Sequence, residues 1–212
     1  MAARVSISPN RMELMKVKNR LALAEKGYDL LKEKMDALVM ELLNTLRIIQ
    51  KSKAEAMAQL KRGYEALSSC MAVLGTFETV QAAGETKKEL TIDVSVRNIM
   101  GIEIPTIQAG EIERNALARG YSLHTTSSYL DIAAREMERA TKLLIELAEL
   151  EITAFALAHE LEKTKRRVNA LEYILIPRLR ESMNFIMMRL DEMERENFTR
   201  LKRIKAILEK RE

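Results

Sequence analysis

The sequence predicts a mainly α protein: a long antiparallel two-helix coiled coil with a small β-hairpin and short-helix insert at the turn end. Three observations carry that reading. Charged residues make up 31% of the chain and aromatics only 4%, with no Trp, seven Gly and three Pro in 212 residues. Ala, Glu, Lys, Leu, Arg and Met dominate; these are strong helix formers, and the composition is that of long helices or a coiled coil. A seven-residue apolar repeat runs through both ends of the chain, while the middle breaks it with Gly, Pro and alternating β-branched residues.

The first helix opens at Ser8-Pro9-Asn10, a capping hydroxyl followed by Pro in the first turn. From there to Leu74 no other Pro occurs, and the only glycines are Gly27 and Gly63. Leu14, Leu21, Tyr28, Met35, Leu42 and Ile49 are spaced in sevens, with Val17, Ala24, Leu31 and Leu38 as the companion row. That is a coiled-coil seam. Further on, the same frame runs into Thr45, Ser52 and Gln59. A second frame holds larger residues: Leu46, Leu60, Leu67 and Leu74 with Met57, Tyr64 and Met71. The step from Leu42 to Leu46 therefore reads as a four-residue stutter, which unwinds a supercoil locally. If continuous, the helix is about 100 Å long.

Leu90, Ile92, Val94 and Val96 alternate with Thr91, Asp93, Ser95 and Arg97, which predicts a strand with one apolar face. Asn98 to Gly101 supplies a turn, and Ile102 and Ile104 begin the return strand. A lone hairpin is marginal, so its apolar face is expected to lie on something. Glu111 to Arg119 reads as a short helix stopped near Gly120.

The second long helix starts in the hydroxyl cluster Thr125 to Ser128. Leu143, Leu150, Leu157, Thr164 and Leu171 form one row; Leu147, Ala154, Leu161, Val168 and Leu175 form the other. Past Pro177 the frame moves by one, to Leu179, Ile186 and Met193 with Met183 and Leu190. The domain reading is 1–75 for the first long helix, 76–120 for the insert and 121–212 for the second. Closing the hairpin at a uniform rise sets Leu21 opposite Arg178 and leaves roughly the last twenty residues as a lone helix.

No phosphate loop, Cys/His cluster or nucleophile elbow is present, and GETKKE lacks the spacing and hydroxyl of a nucleotide loop. His124 and His159 read as surface or edge histidines. The expectation is a chain that is not itself an enzyme, with no catalytic, cofactor-binding or metal residues and no cofactor. The net charge of +4 comes from interleaved signs, which describes a solvated helix surface better than a nucleic-acid groove. The single Cys70 excludes an internal disulfide framework and reads as a reduced, intracellular core thiol. MAARVSISPN lacks the apolar run of a signal peptide, and no apolar stretch is long enough to span a bilayer. Met35, Met57, Met71, Met183 and Met193 fall on seam positions and read as core filler. Lys163, Lys165, Arg166 and Arg167 form a basic collar around Thr164, read either as an exposed turn or as a contact for acidic groups or helix C-termini of a partner.

TKRRVNALEYILIPRL, Thr164 to Leu179, resembles a signature of the D subunits of archaeal and vacuolar-type rotary ATPases. KNRLALAEKGYDLLKEKMDAL, Lys18 to Leu38, is similar to that family's first helix, and the insert stands where the family has its β-hairpin. The resemblance implies a central-stalk rotor axle that carries torque between a catalytic head of A and B subunits and an ion-carrying membrane ring. It implies two further partners, the F subunit of the central stalk and a ring adaptor of the C or d type. It also implies a peripheral place on the cytoplasmic face of a membrane, reached only through the complex, and no nucleic acid. Under it, the collar becomes a bearing surface, Pro177 a candidate shaft bend, and Leu90, Ile92, Val94, Val96, Ile102 and Ile104 a candidate docking hairpin. The rival readings are a static coiled-coil tether or scaffold, a nucleic-acid-associated helical hairpin, and the F-type axle. The last carries a larger domain between its helices than the short middle here allows.

Overall fold

The computed structural model describes residues 10–87, 90–122 and 126–208. Ser8, Pro9, His124 and Thr125 lie outside the described residues. Helix α1 spans Arg11–Leu74 and α2 spans Thr76–Glu85. Strands β1 (Ile92–Ile99) and β2 (Ile102–Ala109) follow, then a single 3₁₀ turn at Ala116–Ala118. Helix α3 (Ser128–Ala170) passes through a π turn (Leu171–Leu175) into α4 (Ile176–Leu208). The chain divides into two units. One joins the described residues up to Ala37 with those from Glu162 onward; the other is Leu38–Leu161.

The helix starts are capped as the side chains allow. The Asn10 carboxamide oxygen accepts from the Met12 N–H at 3.4 Å, and the Ser127 hydroxyl from the Tyr129 N–H at 3.4 Å. These caps satisfy donors that have no partner inside the helix.

In the first unit, Val17, Leu21, Thr164, Val168, Ile176 and Ile186 are buried. The helices run antiparallel: Glu25 pairs with Arg180 at 2.7 Å, and Arg11 pairs with Glu194. Glu25 thus meets Arg180, where a uniform rise would set it near Ile174. The π turn is one source of the difference, because it adds a residue to one helix only. The frame shift expected near Pro177 is present, and its cause is visible. Pro177 has no N–H to give the preceding turn. The helix widens instead of breaking, and the Ile176 N–H donates to the Leu171 carbonyl, five residues back. Buried positions then step from Val168 to Ile176, eight residues rather than seven.

In the second unit the stutter expected at Leu42 to Leu46 does not occur. Leu38, Thr45, Ala56 and Cys70 are buried, Gly63 is buried, and Leu42, Ile49, Ser52 and Gln59 are half-buried. The original frame continues unbroken. Leu46, Met57 and Tyr64, assigned to a second seam, face outward. The seam keeps its phase by shrinking its residues. A Cβ on Gly63 would stand 3.0 Å from the Met137 sulfur, so the large residue comes from α3 at that level. Gln59 donates to the Glu136 carbonyl at 3.3 Å, and the Thr45 hydroxyl returns to the Glu41 carbonyl at 2.9 Å. The methionine reading splits likewise: Met35, Met71 and Met183 are half-buried, while Met57 and Met193 are exposed. Cys70 is fully buried beside Thr79, in a cluster with Ala82, Tyr121, Leu130 and Ala133.

The insert leaves at the end of α1, but its hairpin lies back along the helices. Ile102 and Ile104 are buried against Leu38 and Leu157, with Leu42, Ile99, Ala156 and Leu161 around them. Leu42 is about 50 Å of helix away from Leu74. Burying each such side chain contributes about 1.5–3 kcal/mol, enough to hold a hairpin that is marginal alone. The strands pair antiparallel with Ile99 opposite Ile102 and Val96 opposite Pro105. Met100 and Gly101 both have positive φ, as a two-residue I′ turn requires, and Asn98 accepts from the Gly101 N–H at 2.8 Å.

Replacing Gly63 by Leu forces the Met137 side chain out of the seam. The expected loss is about 1–3 kcal/mol of stability, measured by chemical denaturation, whereas Met57→Leu on the exposed side should change it by less than about 0.5 kcal/mol.

Candidate partner-binding surfaces

The stretch from Gly110 to Tyr121 holds the hairpin in place, and one buried arginine organises it. The Arg119 side chain is 3% exposed. Its fork donates to both oxygens of Glu138, Nε at 3.0 Å and Nη2 at 2.9 Å. Nη1 reaches Asp131 at 3.3 Å, and the Tyr121 hydroxyl donates to the same carboxylate. Glu138 also accepts from the Arg114 N–H at 3.2 Å, and the Arg119 carbonyl accepts from the Lys87 N–H at 2.9 Å. The hydrogen bond to Glu138 raises the Arg119 pKa further above its usual value, against the opposing effect of desolvation. Burial, then the bond to Asp131, pushes the Tyr121 phenol up. Gly120 completes the bend: its φ is +96°, and a Cβ there would meet Lys87 Cγ at 3.0 Å and the Glu85 carbonyl at 3.3 Å.

This clasp corrects the expected Glu111–Arg119 helix, of which only the 3₁₀ turn Ala116–Ala118 forms. Arg119 could not be ranked from sequence among 35 Lys and Arg. The available signal was Asp131 and Glu138, seven apart on one helix face, after an Arg-Gly-Tyr run.

The hairpin residues separate into two sets. Ile102 and Ile104 are core and have no surface to offer a partner. Ile92, Val94 and Val96 are exposed on the face opposite Ile102 and Ile104, while Leu90, also exposed, lies ahead of β1 beside a cleft that it shares with Leu67 and Leu130. The register puts Val96 beside Pro105, Val94 beside Ile107 and Ile92 beside Ala109, so this outward face is apolar on both strands. The β2 edge is closed where the Ile107 N–H donates to Glu149 at 3.1 Å.

Lys163, Lys165, Arg166 and Arg167 are all exposed around the buried Thr164, and Arg166 pairs with Glu162 one turn away. The π turn that follows presents Tyr173, Ile174 and Leu175 to solvent. Two further apolar sets are exposed. Val73, Phe77 and Val80 are exposed at the junction of α1 and α2, Phe77 at 81%. Phe198, Leu201, Ile204 and Ile207 climb one side of α4 beyond Glu194, every one more than half exposed. Among the described residues no group of three or more His, Cys, Asp and Glu could hold a metal, and no helix is long and apolar enough to cross a membrane.

Bare apolar faces of this kind mark interaction surfaces. The family model for the D subunit of ATP synthase matches residues 13–206. The chain belongs to the ATP synthase D-subunit family. It is 45% identical to the A-type ATP synthase D subunit of Pyrococcus abyssi and 46% identical to that of Pyrococcus furiosus, each alignment covering 98% of this chain and 97% of the relative. The A-type ATP synthase D subunit of Methanobrevibacter smithii is 45% identical over 97% of this chain and 89% of its own length. The match therefore takes in the insert and both long helices.

Arg119→Ala would leave the half-buried Glu138 without its guanidinium partner. The expected cost is about 3–5 kcal/mol by denaturant melts, with Arg119→Lys a poor rescue because an ammonium cannot fill a two-oxygen fork. Hydrogen exchange should show the loss concentrated in residues 91–121.

Proposed function

We propose that this chain is the central-stalk axle of an A-type ATP synthase, carrying torque between a nucleotide-processing head and an ion-translocating ring and performing no chemistry itself. The observation that carries the reading is the apolar ladder on α4 beyond Glu194, in a chain whose full length matches the family. A contiguous exposed apolar ladder marks an interaction surface, and the head of A and B subunits is the partner that would surround it. The exposed set Val73, Phe77 and Val80 lies at the insert end, where a ring adaptor of the C or d type would dock. The F subunit would bind along the side. The protein would then sit on the cytoplasmic face of the membrane, peripheral and attached through the complex. The domain reading 1–75, 76–120 and 121–212 maps onto shaft, insert and shaft.

An axle inside a threefold head must not itself be threefold, or every nucleotide site would meet the same surface. The π turn with Pro177 breaks the helical repeat on one strand of the pair and supplies a place for a bend. The collar next to it would bear on carboxylates or helix C-termini of the head, where cations are favoured. Exposed charge contacts are worth only about 0–1 kcal/mol each, which suits a surface that lets go at every step. A static tether shares the helices but gives no use to a basic collar beside a frame shift.

In the assembled complex, Arg166→Ala with Arg167→Ala should lower hydrolysis-driven torque and ion coupling by at most about thirtyfold, the scale of two such contacts, while ATP hydrolysis by the head persists. Unchanged torque and coupling would remove the bearing role.

Val94→Ser with Val96→Ser tests the hairpin without touching Ile102 or Ile104. Coupled activity should fall while circular dichroism stays unchanged. Normal coupling would make the hairpin a stabilised turn and nothing more.

A further inference from the structure

The sequence predicts a helix over Glu111–Arg119, and the structure holds that segment open. Within it only Ile112 and Asn115 are not strong helix formers. Glu111 and Glu113 stand at its start and Arg119 at its end, the order that the helix dipole favours. The far end is already wound. Ala116–Ala118 is a 3₁₀ turn, and Arg119 has helical angles, φ −69° and ψ −27°. Gly120, at φ +96°, has the left-handed conformation of a residue that closes a helix. Winding stops at Asn115, which is extended at φ −70° and ψ 152°. In a helix the Arg114 N–H would donate to the Gly110 carbonyl, four residues back. It donates instead to the half-buried Glu138 at 3.2 Å, the same carboxylate that takes the Arg119 fork. A helix nucleus with its closing glycine is thus in place, and one carboxylate of α3 stops its growth.

The open segment bridges a gap. At one end Arg114 and Arg119 hang on Glu138; beyond the other, the Ile107 N–H donates to Glu149 and Ile104 is buried against Leu157. Between these attachments Glu111, Ile112 and Arg114 line a cavity of about 970 Å³ with Lys142, Ile145 and Glu146 of α3. We propose that Glu111–Arg119 is a coil-to-helix switch: released from Glu138, it winds into this space from the Ala116–Ala118 turn and draws the hairpin off its seat. Winding Glu111–Asn115 shortens the tether by at most about 9 Å, from about 3.3 to 1.5 Å per residue. Strand β2 ends at Ala109, so the pull falls on Ile107 and Ile104. So short a helix is marginal alone, and the clasp with the Ile104 seat suffices to hold the segment open. The seated hairpin and the wound segment are alternatives, and the switch decides whether the Ile92, Val94 and Val96 face is held at the level of Leu157. The device lies wholly within this chain and needs neither a head nor a ring.

The test uses spin labels on the full chain at Glu103→Cys in β2 and His159→Cys in α3, both exposed, with the buried Cys70 out of the label's reach. Double electron–electron resonance should give one distance in the parent. Glu138→Gln keeps the side chain's shape and removes its charge; it should add a second distance, longer by up to about 9 Å. Asn115→Pro separates winding from loosening. The Asn115 φ already suits proline, so the open form is kept, whereas a proline inside the wound segment removes a helix bond and clashes with the turn before it. Added to Glu138→Gln, it should abolish the second distance. Asn115→Ala in its place should raise the second population about threefold, the scale of the difference in helix propensity. A single unchanged distance in Glu138→Gln, a broad distribution in place of a second distance, or a second distance that survives Asn115→Pro would overturn the switch. So would loss of the long helices in Glu138→Gln by circular dichroism, which would make the carboxylate a folding element and not a latch. None of these outcomes bears on torque, so the switch can fail while the axle reading stands.

Discussion

A helix in a two-helix pair can bury only one stripe. Everything else in this protein follows from that limit. The seam on α1 keeps a seven-residue phase from Leu14 to Cys70, and it does so with Thr45, Ser52, Ala56, Gln59 and Gly63 as readily as with leucines. Small residues let the backbones approach, and the facing helix fills the space, as Met137 does over Gly63. Large apolar residues off that phase cannot be reached by the partner helix. They must be covered by the insert, be covered by another chain, or stand in water.

The insert takes the first option. Its hairpin is too small to be stable alone, so it is held by two attachments of different chemistry. Ile102 and Ile104 give apolar burial against Leu38 and Leu157. Arg119 gives a desolvated, fully hydrogen-bonded clasp on Glu138 and Asp131. The burial is non-directional and sets how tightly the hairpin sits. The clasp is directional and sets where the connecting chain runs. With both in place, the Val94 and Val96 face has nowhere to turn but outward.

The helices, their antiparallel pairing and the hairpin were legible because each leaves a periodic trace: sevens in Leu14 to Ile49, twos in Ile92 to Val96. The frame shift at Pro177 was legible too, since the burial step from Val168 to Ile176 reappears as the move to Leu179 and Ile186. Two features were not. The stutter at Leu46 was inferred from residue size, and size does not reveal which of two stripes faces the partner when one is small and the other large. The choice of the valine face as the buried one failed for a related reason. The register sets Ile104 opposite Arg97, so the buried face takes its isoleucines mainly from β2 while β1 offers Asp93, Ser95 and Arg97 there, and a pattern of period two names the faces without saying which is inside. The clasp left still less trace. A buried arginine is identified by its surroundings, and those come from positions 131 and 138 on another element.

The π turn shows how a local covalent constraint becomes a property of the whole helix. Pro177 removes one donor, and its ring crowds the preceding turn. Breaking the helix would expose several carbonyls; widening one turn leaves the Ile176 N–H paired to Leu171. The added residue rotates everything after it by about 100° relative to an unbroken frame. Ile186 is fully buried, so the sequence beyond the proline has moved its apolar row to match. The same rotation turns Tyr173, Ile174 and Leu175 out beside the basic collar. Frame shift and exposed apolar knob therefore trace to one missing N–H, and a substitution that restored it, such as Pro177→Ala, would disturb both while leaving the collar, which precedes the π turn, in place.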